Sequence, residues 1–261
     1  MYLKERLRRL LPGRFIDVGA GDGRLSRLLL DSGWSGTGFE PGPAATTARA
    51  LTAEAVAAGR YVLMAENWLE APAQPPAELI ISSMVLEHLD AADEHRYFRR
   101  AENELTAGGF AILIVPGSPA HWGVEDEIAG HYRRYTFASL ERTLAEVGWT
   151  ATHLAGLTFP VSNLLWFMSE YLVARAEGHK KTLTFAERTA QSGDRRVFLK
   201  TRFPAVLSVV LNERVLYPFH LWQKANADNE RSLVIYVECR PAGGAARPGS
   251  DVSPTRSEIP A

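Results

Sequence analysis

The sequence predicts an α/β fold, a seven-stranded and mainly parallel sheet with an antiparallel last strand. Two observations predict it. Short apolar runs alternate with amphipathic, helix-spaced runs from about residue 14 to residue 158, the pattern of a sheet covered by helices on both sides. The first of those runs ends in a glycine-rich loop that opens a helix, and sheets of this kind gather ligands at the carboxyl ends of their strands.

The elements follow in order. Phe15–Gly19 is a short apolar run closed by glycine, a buried-strand signal, and Arg24–Leu30 carries Leu25, Leu28 and Leu29 at helical spacing. Gly36–Phe39 is a second strand, ended by Glu40-Pro41, and the Ala-rich stretch Pro43–Ala58 is a helix. Tyr61–Met64 is a third strand. The loop Gln74-Pro75-Pro76 leads into a fourth, Leu79–Ser82. Asp93–Leu105 places Tyr97, Phe98, Ala101 and Leu105 on one helical stripe; Gly108-Gly109 stops it, and Phe110–Val115 is the fifth strand. Thr136 can cap a helix running to Val147, which Gly148 ends. Thr150–Thr158 and Ser232–Cys239 are the sixth and last strands.

Composition narrows the function. The 261 residues are 46% apolar with a formal net charge of −1, so no global field favours nucleic acid or an anionic membrane. The single cysteine, Cys239, excludes an intramolecular disulfide framework and a Cys-rich zinc site, and fits a reducing, cytoplasmic setting. Met1–Leu11 is too interrupted by Arg and Lys to be a signal-peptide core, and the apolar stretches Asn163–Val173 and Ala205–Leu211 fall short of the roughly 18–20 residues that span a bilayer. No stable membrane insertion and no nucleic-acid partner are expected.

The chemistry lies in the loop Asp17-Val18-Gly19-Ala20-Gly21-Asp22-Gly23. Glycines there let backbone approach a ligand closely, and the N–H groups of the following helix point into the site. Glu40 ends the next strand, 23 residues after Asp17, where a carboxylate can accept both hydroxyls of a ribose. Strand, glycine loop, helix and spaced acid together indicate a nucleoside ligand. The dinucleotide fingerprint wants a glycine where Arg24 stands, and Asp17 would repel a pyrophosphate while suiting a cationic ligand with an amino group. No Tyr-x-x-x-Lys pair exists to support short-chain dehydrogenase chemistry.

On these residues the sequence resembles the class I S-adenosylmethionine-dependent methyltransferases, whose fold is Rossmann-like. The first motif of that family is matched by Asp17–Gly23, its ribose acid by Glu40 with Pro41 beside it, and its residue near the adenine by Glu66 or Asn67. Ser82-Ser83-Met84-Val85-Leu86-Glu87-His88-Leu89 resembles its fourth motif. The resemblance implies S-adenosylmethionine as cofactor, with Asp17, Gly19, Ala20, Gly21, Gly23, Glu40, Pro41, Glu66, Asn67, Ser82 and Ser83 around it. The run Gly130-His131-Tyr132-Arg133-Arg134-Tyr135-Thr136 is similar to one in a bacterial branch tied to glycan and secondary-metabolite biosynthesis.

Methyl transfer from a sulfonium needs nucleophile and methyl carbon held about 3 Å apart and aligned. A hydroxyl acceptor also needs a base near neutral pKa, and histidine suits. His131 is the first candidate and His88 the second; either can instead hold its loop in place. His121 and Tyr135 lie in the same acceptor-side loops. Arg133 and Arg134 are expected to pair with Glu125 or Asp126. No metal is expected: Ser82 and Ser83 stand where the catechol-type enzymes carry carboxylates, although Glu87 and His88 could ligate an ion. The expected function is transfer to a small-molecule hydroxyl. N- or C-methylation is the nearest rival, followed by a nicotinamide-dependent oxidoreductase and by a non-catalytic module that kept the fold.

Residues 1–158 and 231–240 are expected to form the cofactor domain, 159–230 a helical lid, and 241–261 a disordered tail. In the insert, Val161, Leu164, Leu165, Met168 and Leu172 share a helical face, Lys180–Lys200 reads as a loop with a short helix, and Pro204–Leu216 as a second apolar helix followed by the aromatic Tyr217–Trp222. Trp166, Phe167 and Tyr171 are expected to line a partly apolar acceptor pocket, and the doubly apolar helix could also pair two copies of the chain.

Overall fold

A computed structural model of the chain describes residues 1–177 and 212–243. Its strands are β1 (Arg14–Val18), β2 (Ser35–Phe39), β3 (Tyr61–Met64), β4 (Ala77–Ser83), β5 (Leu105–Pro116), β6 (Trp149–Leu157) and β7 (Val234–Pro241). They form one sheet in the order β3-β2-β1-β4-β5-β7-β6. β7 lies antiparallel to both β5 and β6, and the other pairs are parallel. The chain lays strands outward from β1 in one direction, then returns to build from β4 in the other. The order therefore reverses between β1 and β4, which is where such sheets open a crevice.

Alternation along each strand sends side chains to opposite sides of the sheet. Ile16, Ile80, Leu113 and Val237 pack with Tyr97 and Phe98 of α4 (Ala91–Glu104) and with Leu140 and Leu144 of α6 (Phe137–Glu146). Phe15, Leu79, Ile81, Ile112 and Tyr236 pack with Leu29 and Leu30 of α2 (Arg24–Asp31) and with Leu7 of α1 (Tyr2–Leu7). α3 (Ala45–Ala57) packs on β3 and α2, burying Ala48, Thr52 and Ala55. Thr136 caps α6, accepting from Ser139 N–H at 3.0 Å.

The structure corrects several boundaries. β5 starts at Leu105, so Gly108 and Gly109 lie inside it rather than ahead of it: Leu105 is extended and pairs with Ala77, and the two glycines occupy a register shift in that ladder. β7 continues to Pro241, opposite Trp149. α1 was not foreseen within the basic Met1–Leu11 segment; burial of Leu7 against the sheet makes it a helix.

Two described helices lie between β6 and β7. The first, α7 (Val161–Glu177), packs on the short α5 (Val124–Ala129), burying Val173 against Ile128. The second, α8 (Glu213–Ala225), contains the described end of the expected Pro204–Leu216 helix and continues past Leu216 to take in Tyr217–Trp222. Asn212 caps it, its side-chain oxygen accepting from Arg214 and Val215 N–H, and the helix carries Pro218 within it. α8 is tied to α1 by Lys4–Glu213, His220–Glu5 and Lys224–Glu5 contacts of 3.0, 2.7 and 2.7 Å. The expected Lys180–Lys200 loop, most of Pro204–Leu216 and the tail beyond residue 243 lie outside the described residues. Among the described residues, no helix is long and apolar enough to cross a membrane.

Candidate active site

A cavity of about 1010 Å³ opens at the reversal point. The carboxyl ends of the parallel strands supply most of its wall: Val18 and Gly19 after β1, Phe39 to Gly42 after β2, Asn67 and Trp68 after β3, Ser83 to Val85 and His88 after β4, Pro116 at the end of β5 and Thr158 after β6. α7 closes the opposite side with Leu165, Trp166, Met168, Ser169 and Leu172. The glycine loop and the insert thus face one volume.

The loop conformation explains its glycines. Gly19, Gly21 and Gly23 have φ of 72°, 55° and 83°, in the left-handed region that glycine enters at little cost. A Cβ on Gly19 would stand 2.6 Å from Val85 Cγ2, whereas one on Gly21 would meet nothing within 4 Å, because Gly21 borders the cavity. Glu40 accepts from Gly21 N–H at 2.8 Å on one carboxylate oxygen and from Gly42 N–H at 2.7 Å on the other. Each oxygen keeps a second lone pair, so a fixed, nearly buried carboxylate presents two acceptor positions to the cavity.

Asp17 lies fully buried behind the loop. Its Oδ2 accepts from Ser26 Oγ at 2.5 Å, while its Oδ1 has no hydrogen-bond partner. Burial, and secondarily the charge of Glu40, push its pKa up to about 7 against the opposing Ser26 hydrogen bond. A buried carboxylate with an unused acceptor suits a cationic or N–H-bearing ligand group.

Not every expected residue reaches the cavity. Gly19, Gly21, Glu40, Pro41, Asn67 and Ser83 line it. Glu66 is exposed and outside the wall, which leaves Asn67 at the position after β3. Asp17 and Ala20 are buried and outside the wall, Gly23 caps α2, and Ser82 is covered, accepting from Tyr97 OH at 3.0 Å. Of the insert aromatics, Trp166 lines the cavity, whereas Phe167 and Tyr171 are 76% and 62% exposed and outside its wall. Residues 164, 167 and 171 share one helical face, and the wall is built from 162, 165, 169 and 172 on another. Tyr135 is a core residue, its hydroxyl 3.4 Å from Glu94. His121 stands behind the wall, sharing a 2.7 Å hydrogen bond with Ser118 and packing edge-on to Trp166.

His88 and His131 both line the cavity, their rings edge to face at 4.8 Å between centroids. His131 Nδ1 meets Asp126 Oδ1 at 2.8 Å, and its Nε2 stands 3.8 Å from Glu87 Oε1. Asp126 is fully buried and also accepts from Arg134 Nε at 2.8 Å and Gly123 N–H at 2.9 Å. Burial alone would raise its pKa, but the hydrogen bonds from His131 and Arg134 outweigh that and hold it below the usual carboxylate range. Arg134 therefore pairs with Asp126 as expected, while Arg133 pairs with Glu94 at 3.0 Å, not with Glu125 or Asp126. The Asp126–His131 partnership was missed in the sequence. Its only signal is an acid five residues before the histidine, across Gly130, whose φ of 73° turns the chain back on the end of α5.

A family profile described as a methyltransferase domain matches residues 2–154, more than half of the chain. No curated protein matches by sequence. Among solved structures, a provisionally assigned sarcosine dimethylglycine methyltransferase from Galdieria sulphuraria is similar over 92% of this chain and 86% of its own, at 14% identity and a TM-score of 0.56. The O-methyltransferase NcsB1 of neocarzinostatin biosynthesis, solved with S-adenosylmethionine and 2-hydroxy-5-methyl naphthoic acid, is 21% identical with a TM-score of 0.47. That match covers 57% of this chain and 48% of NcsB1, so the chain spans about half the length of that protein. The glycopeptide N-methyltransferase MtfA complexed with sinefungin is 19% identical over 60% of this chain and 77% of its own, with a TM-score of 0.48.

Proposed function

The chain belongs to the methyltransferase-domain family, and from that premise we propose that it transfers a methyl group from S-adenosylmethionine to a small-molecule acceptor, most simply at a hydroxyl. The observation that carries this reading is the single cavity shared by the glycine loop with Glu40 and by the histidine pair under α7. Gly19, Gly21, Glu40, Pro41, Asn67 and Ser83 hold the cofactor: the two remaining Glu40 acceptor positions take the ribose hydroxyls, and the unpartnered Asp17 Oδ1 fits the cofactor's amino group. The acceptor enters opposite, against Leu165, Trp166, Met168 and Leu172 of α7, which we read as the lid of a partly apolar pocket. Trp166 Nε1 and Thr158 Oγ1 are buried without hydrogen-bond partners in that wall, so the acceptor carries polar groups as well as apolar surface.

His131 serves as the base. A carboxylate accepts only, so Asp126 fixes the proton of neutral His131 on Nδ1 and leaves the Nε2 lone pair for the acceptor hydroxyl. The acceptor oxygen attacks the methyl carbon, the C–S bond breaks with its electron pair going to sulfur, and the hydroxyl proton goes to His131.

Calorimetry tests the cofactor assignment. S-adenosylmethionine should bind and NAD should not, and Glu40→Ala should weaken binding by about 1–3 kcal/mol, since it strands the ribose hydroxyls. Tight NAD binding with no S-adenosylmethionine binding would overturn the assignment. Transfer of a labelled methyl group from the cofactor into cell extracts would then identify the acceptor.

A further inference from the structure

We propose that Glu87, His88 and His131 form a site for one divalent transition-metal ion of the zinc class, open to the cavity. One ligand atom from each residue lies within 4.8 Å of the other two, and Glu87 Oε1 is 3.8 Å from His131 Nε2. Ligand atoms around a tetrahedral zinc stand roughly 3.4 Å apart, given bond lengths of about 2.1 Å, so an ion is gathered by side-chain movements on the order of 1 Å.

The surroundings of the three residues suit an ion better than three unrelated side chains would. His131 Nδ1 is engaged by the Asp126 carboxylate at 2.8 Å, and His88 Nδ1 by the Gly130 carbonyl at 3.2 Å. Both partners only accept. Each neutral ring is therefore held with its proton on Nδ1 and its lone pair on Nε2, the arrangement by which outer carboxylates and carbonyls orient metal-bound histidines. The two loops are joined by backbone, Tyr132 N–H donating to the Glu87 carbonyl at 2.8 Å, and within the second loop His131 N–H donates to the Asp126 carbonyl at 3.0 Å. Around His131, two carboxylates (Glu87 and Asp126) face one guanidinium (Arg134), a balance that favours a cation.

Two imidazoles and one carboxylate leave a fourth position open, and it faces the cavity because His88 and His131 line the wall there. The assignment rests on the methyl-transfer reading for its role and gives activation of the acceptor to the ion. An acceptor hydroxyl bound at the open position is acidified, as water on zinc is acidified to about pH 7. Its proton passes to solvent, its oxygen attacks the methyl carbon, and the C–S pair returns to sulfur. In the ion-free protein His131 takes the proton directly. The sequence argued against a metal from Ser82 and Ser83; the site uses the residues one turn further on and a histidine from a second loop.

The test uses the tag-free full-length protein, stripped with a chelator and titrated with Zn²⁺, and with Co²⁺ as a spectroscopic probe. Wild type should take up close to one ion per chain and give the visible absorption of four- or five-coordinate, nitrogen-ligated Co²⁺, displaced by Zn²⁺. His88→Ala, His131→Ala and Glu87→Gln should each weaken Zn²⁺ binding tenfold or more. S-adenosylmethionine affinity should stay within about threefold, which shows that each variant is folded. If a variant does not fold, the wild-type cobalt spectrum decides. A pale, octahedral all-oxygen spectrum, no stoichiometric uptake, or uptake that survives all three substitutions overturns the site. Loss of S-adenosylmethionine binding with Zn²⁺ binding intact would instead overturn the methyl-transfer reading and leave the ion site standing.

Discussion

Asp17 and His131 are each defined by one atom. Asp17 is a buried carboxylate whose Oδ1 lacks a partner and whose pKa lies near 7 in the unliganded chain. A cation binding beside it favours the charged form, so cofactor binding below that pKa must expel a proton. S-adenosylmethionine affinity should therefore fall about tenfold between about pH 7.5 and about pH 6, with proton release visible in buffers of different ionisation enthalpy. Asp17→Asn should flatten the profile; an affinity in wild type that does not change over this range would remove Asp17 from the cofactor site. For His131, substitution by Ala should lower turnover by about 10²-fold while cofactor affinity stays near wild type, since in the proposed reading its lone pair serves activation of the acceptor, directly or through the ion, and not cofactor binding. Turnover close to wild type on the true acceptor would show that the proton is handled elsewhere. Glu40 and the glycines were legible in the sequence because their spacing is local to one strand-loop-helix unit. Asp126 was not, because its contact depends on how Gly130 reverses the chain and on Arg134 arriving from beyond it.

At the scale of elements, strands buried on both sides read easily: Leu79, Ile80 and Ile81 are all 0% exposed and leave no polar position to confuse the pattern. Helix α7 was legible as a helix but not in its orientation, since apolar residues occur all round it and only docking on α5 selects the inward face. That docking rests on Val173 packed against Ile128 and on Glu170, which accepts from Val124 N–H. The Glu170 pair joins α7 to α5, and Glu170 itself does not line the cavity. Glu170→Ala should thus raise the acceptor KM several-fold and leave the Kd for S-adenosylmethionine within about twofold, because only acceptor contacts pass through α7. An equal loss for both ligands in steady-state kinetics and calorimetry would mean that α7 supports the whole cleft and is no separate lid. Pro218 hid the continuation of α8 past Leu216: a proline commonly ends a helix, but here it sits inside one that Asn212 caps and α1 holds.

Across the whole molecule, the first helix and the last strand are fastened together away from the cleft. Arg6 of α1 makes a two-pronged pair with Glu238 of β7, Nε to Oε1 at 2.7 Å and NH2 to Oε2 at 2.8 Å, and Tyr236 OH donates to the same carboxylate at 2.7 Å. Neither Arg6 nor Glu238 lines the cavity, and Glu238 lies four residues along β7 from Val234, which does. Their side chains are only 21% and 10% exposed, so removing one partner leaves a charge largely out of water. Arg6→Ala should destabilise the fold by about 2–4 kcal/mol at neutral pH, below the full penalty of a completely buried pair. The pH dependence gives the sign. Burial raises the Glu238 pKa, but hydrogen bonds from Arg6 and Tyr236 outweigh it and hold the carboxyl below its ordinary 4.5. A carboxyl depressed in the folded state contributes stability above its unfolded pKa and loses it as pH falls through the folded one. The wild type loses this contribution in acid, while Arg6→Ala has already lost it and can protonate the stranded carboxyl more readily. The stability gap between the two proteins should therefore narrow as pH falls toward and below about 4.5, read by urea unfolding at neutral pH and near pH 4. Cofactor affinity measured on the folded fraction should not change. A gap that is constant with pH would remove the Arg6–Glu238 charge pair as its cause, and a loss of S-adenosylmethionine affinity would show that the fastening of α1 to β7 reaches the cleft.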